Sequence, residues 1–284
     1  GVGGVDADKV TIHDLLSMTE GIDDAGPVIV RTAYSGDFTP EQLIDLLAGY
    51  KADENGPAFD YGNLPYNILG LVLDAADGEG LEAGGWKSSV RKTVLEPLGM
   101  RETTALVSSV EADRIAMPHA RGPSGRFERI RLAKDDTNMH AAGGHLASAR
   151  SLARFVAVHI GGGTLEERRI FPQPMIENIQ TQQARQDRTF AGYERDGWGY
   201  GWDRATWLGH RMLQRFGGFY GHYSHMSFLP EQGLGVVVLS NDAAGQSAAD
   251  LVANFIYDRL LGREDLQSHY DKRFKQLTSL DKDR

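Results

Sequence analysis

The sequence predicts an α+β fold, an antiparallel sheet flanked by helices with a mostly helical lobe ahead of it. Three observations carry this reading. Apolar residues recur at helical spacing early in the chain, as at Leu43, Ile44, Leu47 and Tyr50. The clearest strand signal comes late, over 220–241, where two apolar runs flank Pro230-Glu231-Gln232-Gly233, which is turn chemistry for a hairpin. A long helix follows, with Leu251, Val252, Phe255, Ile256, Leu260 and Leu261 on its buried stripe.

The elements follow in order. Thr11 precedes Leu15-Leu16 with an acid, Asp14, three residues on, which is a capped helix start, and Gly21 is the expected stop. Thr39-Pro40-Glu41 opens a second helix with a cap, a proline at its first position and an acid in its first turn. Helices are expected over 66–76 and 88–95, separated by a Gly-rich break at 77–80. Residues 101–140 show weak periodicity and read as loops with short strands. Ser148 caps a helix whose apolar face is Leu152, Phe155, Val156 and Ile160, ended by Gly161-Gly162-Gly163. Residues 164–195, rich in Gln and Arg, read as a surface excursion.

Composition narrows the function. The 284 residues carry 30 Lys+Arg against 39 Asp+Glu, a formal charge of −9, which argues against a nucleic-acid partner because a polyanion needs a basic face. The apolar share of 41% is that of a globular protein with a core. No apolar run reaches membrane-span length. The absence of Cys excludes disulfides, thiolate metal sites and cysteine catalysis together.

Candidate chemistry begins at Phe59-Asp60-Tyr61-Gly62-Asn63. A Tyr-x-Asn at a loop-to-helix junction presents a phenol and an amide on one side, and a phenol serves as acid or base when a cation stands near it. The segment does not stand alone. Residues 10–21 (VTIHDLLSMTEG) resemble a block of the class C β-lactamase-related serine hydrolases, a family that also holds penicillin-binding-protein-like peptidases and esterases. Residues 56–70 look like its Tyr-x-Asn block, Pro97-Leu98-Gly99-Met100 like its Pro-Leu-Gly-Met element, and Ala141-Ala142-Gly143-Gly144 with Ser148 like a fourth. Residues 217–241 resemble its strand hairpin. The five blocks occur in the family's order.

The resemblance implies a β-lactamase/transpeptidase-like fold and acyl transfer to a serine, cleaving an ester or amide of a small or peptide-like substrate through an acyl-enzyme, with no cofactor and no metal. By this likeness Tyr61 is the proton shuttle and Asn63 a substrate contact. Phe216, Gly217 and Gly218 form the strand wall, and the Phe219 N–H is the oxyanion donor. Family members are often exported, so a periplasmic or secreted location is what the likeness favours.

Two departures shape the expectation. The family's Ser-x-x-Lys helix lies well ahead of the first block, whereas only nine residues precede it here and none is Ser. Ser89-Val90-Arg91-Lys92 and Ser279-Leu280-Asp281-Lys282 match the string but not the place, and are read as accidental. The nucleophile and the first strands are therefore expected outside this chain. That leaves an N-terminally incomplete domain over 1–262, with a helical lobe at about 10–200, a sheet lobe at about 205–262 and a charged tail or linker at 263–284. A longer protein or an oligomer would then complete the sheet. The second departure is Phe216 in the strand's Lys/His slot. Alternation aims Arg215 at the opposite face, and loss of the cation shifts the expected substrate towards neutral esters or amides. The rival reading, motivated by the same two lapses, is a catalytically inactive binding module.

Weaker signals remain. His222 and His225, at i and i+3 on a strand, point to opposite faces and make a poor metal chelate. Trp198-Gly199-Tyr200-Gly201-Trp202 reads either as an aromatic cleft wall or as core.

Overall fold

The computed structural model describes residues 5–23, 42, 45–46, 49–54, 56–76, 85–242 and 244–280. The helix predicted from Thr39 lies largely, and the break at 77–80 wholly, outside them. Helix α1 (Ile12–Ser17) starts as its sequence requires. Thr11 Oγ1 accepts the Asp14 N–H at 3.2 Å, and Asp14 Oδ2 accepts the Thr11 N–H at 2.8 Å. The stop comes earlier than Gly21, at Met18, whose φ of 56° turns the chain left-handed. Helix α2 (Leu64–Ala76) carries Pro65 in its first turn, where a missing N–H costs nothing. Helix α3 (Gly85–Val90) widens into a π turn over Arg91–Leu95. Helix α4 (Ala149–Ile160) is capped by Ser148, whose Oγ accepts the Ser151 N–H at 3.1 Å, and it ends at the three glycines.

Between α3 and α4 the chain makes only short turns and one small ladder, β1 (His119–Arg121) against β2 (Phe127–Arg129). After α4 come the two-residue strands β3 (Thr164–Leu165) and β4 (Arg168–Arg169), then α5 (Gln173–Gln180). The principal sheet is an antiparallel meander of β5 (Ala184–Phe190), β6 (Tyr193–Trp198), β7 (Asp203–Trp207), β8 (His210–Phe219), β9 (His222–Leu229) and β10 (Leu234–Ser240). Its strand order is β10-β9-β8-β7-β6-β5. Helices α6 (Gly245–Leu260) and α7 (Leu266–Leu280) complete the described chain. None of the described helices is long and apolar enough to cross a membrane.

Residues 164–195 are therefore not a surface excursion, and the sheet begins near 184 rather than 205. The reason is chemical. Alternate positions of β5 and β6 are buried, but Gln186 and Arg195 are among the residues that occupy them, so no hydrophobic period marks these strands. The segment beyond 262 is likewise not a mere linker. Tyr270 of α7 is buried and its hydroxyl donates to Asp258 Oδ2 at 3.0 Å, while its ring packs edge-on against Phe255.

Both faces of the sheet are covered. Val156 of α4 packs with Trp202, Leu213 and Phe228 on one. Ala253 and Tyr257 of α6 pack with Tyr193, Met212 and Leu229 on the other. The second interface also holds a buried polar chain, in which His225 bonds Asp250 at 2.9 Å and Ser227 at 2.7 Å, and Ser227 bonds Tyr257 at 2.9 Å.

Candidate active site

Tyr61 and Asn63 sit where the turn after α1, the start of α2 and the sheet converge. Three hydrogen bonds fix the junction. The Asp60 N–H donates to the Met18 carbonyl at 3.0 Å. The Leu16 carbonyl accepts both Trp198 Nε1 at 3.1 Å and the Tyr66 hydroxyl at 3.2 Å. Phe59 packs against the buried Trp198 ring at 5.6 Å, which holds the loop on the sheet. The result is a cavity of about 100 Å³ whose walls include Tyr61, Asn63, Tyr66, Trp198, Ala142 and Arg215.

The Ala142 wall is held from behind. Its N–H donates to Asn67 Oδ1 at 2.9 Å, and Lys87 and Lys134 cap the carbonyls of Asp136 and Asn138 at 2.6 and 3.1 Å. Met139 and His140 within this loop have φ of 66° and 44°, a strain the caps hold in place. Burial lowers the Lys134 ammonium below its ordinary range, and burial with the two lysines pulls His145 down to about 4.

The two tyrosines differ. Burial pushes the Tyr66 phenol well above its usual range, which suits it to a fixed structural bond. Tyr61 is 39% exposed and its hydroxyl accepts a hydrogen bond from Arg215 Nη2. The Arg215 guanidinium lies 4.5 Å from the centre of the Tyr61 ring and 5.1 Å from that of Trp198. Its other edge, Nη1, donates to Asp203 Oδ2 at 2.8 Å.

This placement reverses a sequence expectation. Phe216 does not face the cavity. It packs beneath the sheet against the α6 layer, with ring centres 5.7 Å from Tyr193 and 5.2 Å from His225. Alternation correctly separates Arg215 from Phe216, but the arginine is the one beside Tyr61. Ladder pairing with β7 ends at Asp203–Gln214, so among the described pairings β8 from Arg215 to Phe219 has only β9 beside it. Gly217, Gly218 and Phe219 are on that stretch but not among the cavity walls. A Cβ at Gly217 would lie 2.5 Å from Ser224 Oγ, whereas one at Gly218 would meet nothing nearer than Tyr223 at 3.9 Å. Within the chain, the crowded position is therefore 217.

Other candidates divide. Of the aromatic run, Trp198 and Gly201 line the cavity, while Trp202 belongs to the core under α4. His222 bonds the Ala116 carbonyl and His225 bonds Asp250, so the two face different partners. Among the described residues no group of three or more His, Asp or Glu side chains converges as metal ligands do. Ser89 lies in α3 and is not a cavity wall. A larger hollow of about 270 Å³ over the β5–β6 hairpin is walled by residues of both charges, such as Arg185, Asp187 and Glu194. It shares no wall with the Tyr61 cavity.

Sequence reasoning missed Asp203, the role of Arg215, and Arg188, whose guanidinium lies 5.9 Å from the centre of the Tyr61 ring. The available signal was charge at alternate positions of segments that lack an apolar period.

Comparison with known proteins gives consistent matches. A family model described as Beta-lactamase matches residues 2–258. Penicillin-binding protein 4 of Amycolatopsis lactamdurans is 25% identical over 244 residues, 85% of this chain and 62% of that protein. The octameric penicillin-binding protein homologue from Pyrococcus abyssi superposes with a TM-score of 0.71 at 25% identity, over 89% of this chain and 56% of that one. The chain thus spans about three fifths of the length of these relatives. D-stereospecific amidohydrolase from a Streptomyces species has a TM-score of 0.66 at 22% identity, over 89% of this chain and 74% of that one. D-amino acid amidase from Ochrobactrum anthropi SV3 has a TM-score of 0.64 at 18% identity, over 83% and 65%. These last two share the fold: an antiparallel sheet with helices, of β-lactamase/transpeptidase type.

Proposed function

Because the chain belongs to the β-lactamase family, we propose that it forms the tyrosine-bearing wall of a serine acyl-transfer site that cleaves an ester or amide through an acyl-enzyme. The observation that carries this is the Arg215 guanidinium donating to the Tyr61 hydroxyl in a cavity shared with Asn63. In this reading a serine oxygen attacks the substrate carbonyl and its proton passes by way of Tyr61 to the leaving group. Water then repeats the path in reverse and releases the acid. Arg215 supports negative charge on the phenol oxygen during the relay, and Asn63 holds the substrate amide. The serine comes from outside the residues that wall the cavity.

The hairpin register bears on the backbone donor. Its two-residue loop, Tyr220-Gly221, closes on Phe219 and His222. Closing residues of such a hairpin exchange both hydrogen bonds, which turns the Phe219 N–H towards β9. Alternation then favours Gly218, rather than Phe219, as the N–H offered to an oxyanion at the open edge.

The substrate expectation changes with Arg215. A cation at the phenol suits an ester or amide that carries a carboxylate, and neutral substrates lose their preference. The relatives named for penicillin binding and for D-amino acid amides support a small amide or peptide-like substrate. The octameric relative supports self-association, which light scattering of the purified chain reads directly. Fluorophosphonate labelling of the natural protein tests the main reading. Tyr61→Phe should slow acylation by about 10²–10⁴-fold, and an unchanged rate removes Tyr61 from the mechanism. A second reading, an inactive binding module, draws on Ser89 lying away from the cavity walls. It predicts no label on the folded natural protein.

A further inference from the structure

Asp203 is fully buried, yet its carboxylate is met by three guanidiniums. Arg215 Nη1 lies at 2.8 Å, Arg195 Nη1 at 3.3 Å and Arg188 Nη2 at 3.9 Å, while Gln186 Nε2 donates at 2.9 Å. Arg195 is itself 4% exposed and lies against the rings of Phe190 and Phe216, 4.5 and 5.2 Å from their centres. Burial, and repulsion from Arg188 and Arg215, pull its guanidinium down to about 10. Three cations stand against one carboxylate, so without that carboxylate they would separate.

Arg188 lies 5.9 Å from the centre of the Tyr61 ring, but of the three it is Arg215 that walls the cavity and bonds the phenol. One edge of its planar group bonds Asp203 and the other bonds Tyr61. Fixing one edge of a rigid fork fixes where the other points. We propose that Asp203 is a positioning residue for Tyr61: it holds Arg215 against its like-charged neighbours so that Nη2 faces the phenol. The catalytic consequence rests on Tyr61 being the proton relay, whereas the geometric part does not.

Two measurements separate these. In the chain labelled with ¹⁵N-arginine and ¹³C-tyrosine, Arg215, assigned through Arg215→Gln, should show slowly exchanging guanidinium protons and cross-relaxation to the Tyr61 ring. Asp203→Asn, checked for folding by circular dichroism, should lose both. Signals that persist in the folded variant overturn the proposal. If Asp203→Asn does not fold, the wild-type spectrum decides, because an Arg215 already averaged by solvent overturns it equally. In the natural protein, Asp203→Asn and Arg215→Gln should each slow acylation about 10- to 100-fold. The double variant should be no slower than Arg215→Gln alone, since Asp203 acts through that residue, and additive losses overturn the proposal. If Tyr61→Phe leaves acylation unchanged, the proton-relay reading falls and the spectra alone decide whether Asp203 holds Arg215.

Discussion

Tyr61 and Tyr66, five residues apart, show how burial sorts one side-chain type into two uses. Tyr66 spends its hydroxyl on the Leu16 carbonyl, while the more exposed Tyr61 accepts a hydrogen bond from a guanidinium. Burial also sets the acid sensitivity of the molecule. His159 of α4 lies among Phe155, Trp202 and Phe228, its Nδ1 has no hydrogen-bond partner among the described residues, and desolvation holds it at about 4, as it does His145. Between pH 6.5 and 4 the unfolded chain takes up protons at these sites and the folded chain does not. Their contribution is therefore complete above pH 6.5 and declines as the pH falls towards 4, by at most about 3 kcal/mol each. His159→Phe keeps the ring packing and removes the proton site. Urea midpoints measured at pH 7 and pH 5 should differ less in this variant than in the wild type, and an unchanged difference would clear His159 of that role.

At the scale of elements, the contacts that matter join pieces remote in sequence. Asp258 of α6 is fully buried and accepts from Trp207 Nε1 at 3.0 Å, Arg263 Nη1 at 3.1 Å and the Tyr270 hydroxyl at 3.0 Å. One carboxylate thus ties β7, α6 and α7 together. Asp258→Ala strands all three donors and should cost about 3 kcal/mol, read calorimetrically as a fall of roughly 6–12 °C in melting temperature. The capped starts of α1 and α4 were legible from local residues because a cap is satisfied within three positions. Strands β5 and β6 were not, because Gln186 and Arg195 earn their burial from Asp203 on β7 and from neighbouring rings. The docking of α7 escaped for a similar reason, since its anchor is a carboxylate on another helix.

For the molecule as a whole, the early helices and the late sheet form one body around the cavity. Met18, Ala184 and Trp198 share a core cluster, with Phe59 and Tyr66 packed against it. This seam should make the two parts unfold together. Tryptophan fluorescence and far-ultraviolet circular dichroism are expected to give coincident urea transitions, and separated midpoints would show that the seam is weak. The family, the capped helix starts at Thr11 and Ser148 and the β9–β10 hairpin could be read from the amino acids alone, because motif blocks, caps and turns are local. Which strand residue meets Tyr61 could not. Alternation states that Arg215 and Phe216 face opposite ways but not which way either faces. That was decided by a buried carboxylate and by a phenol 154 residues distant, partners that only the folded chain brings within reach.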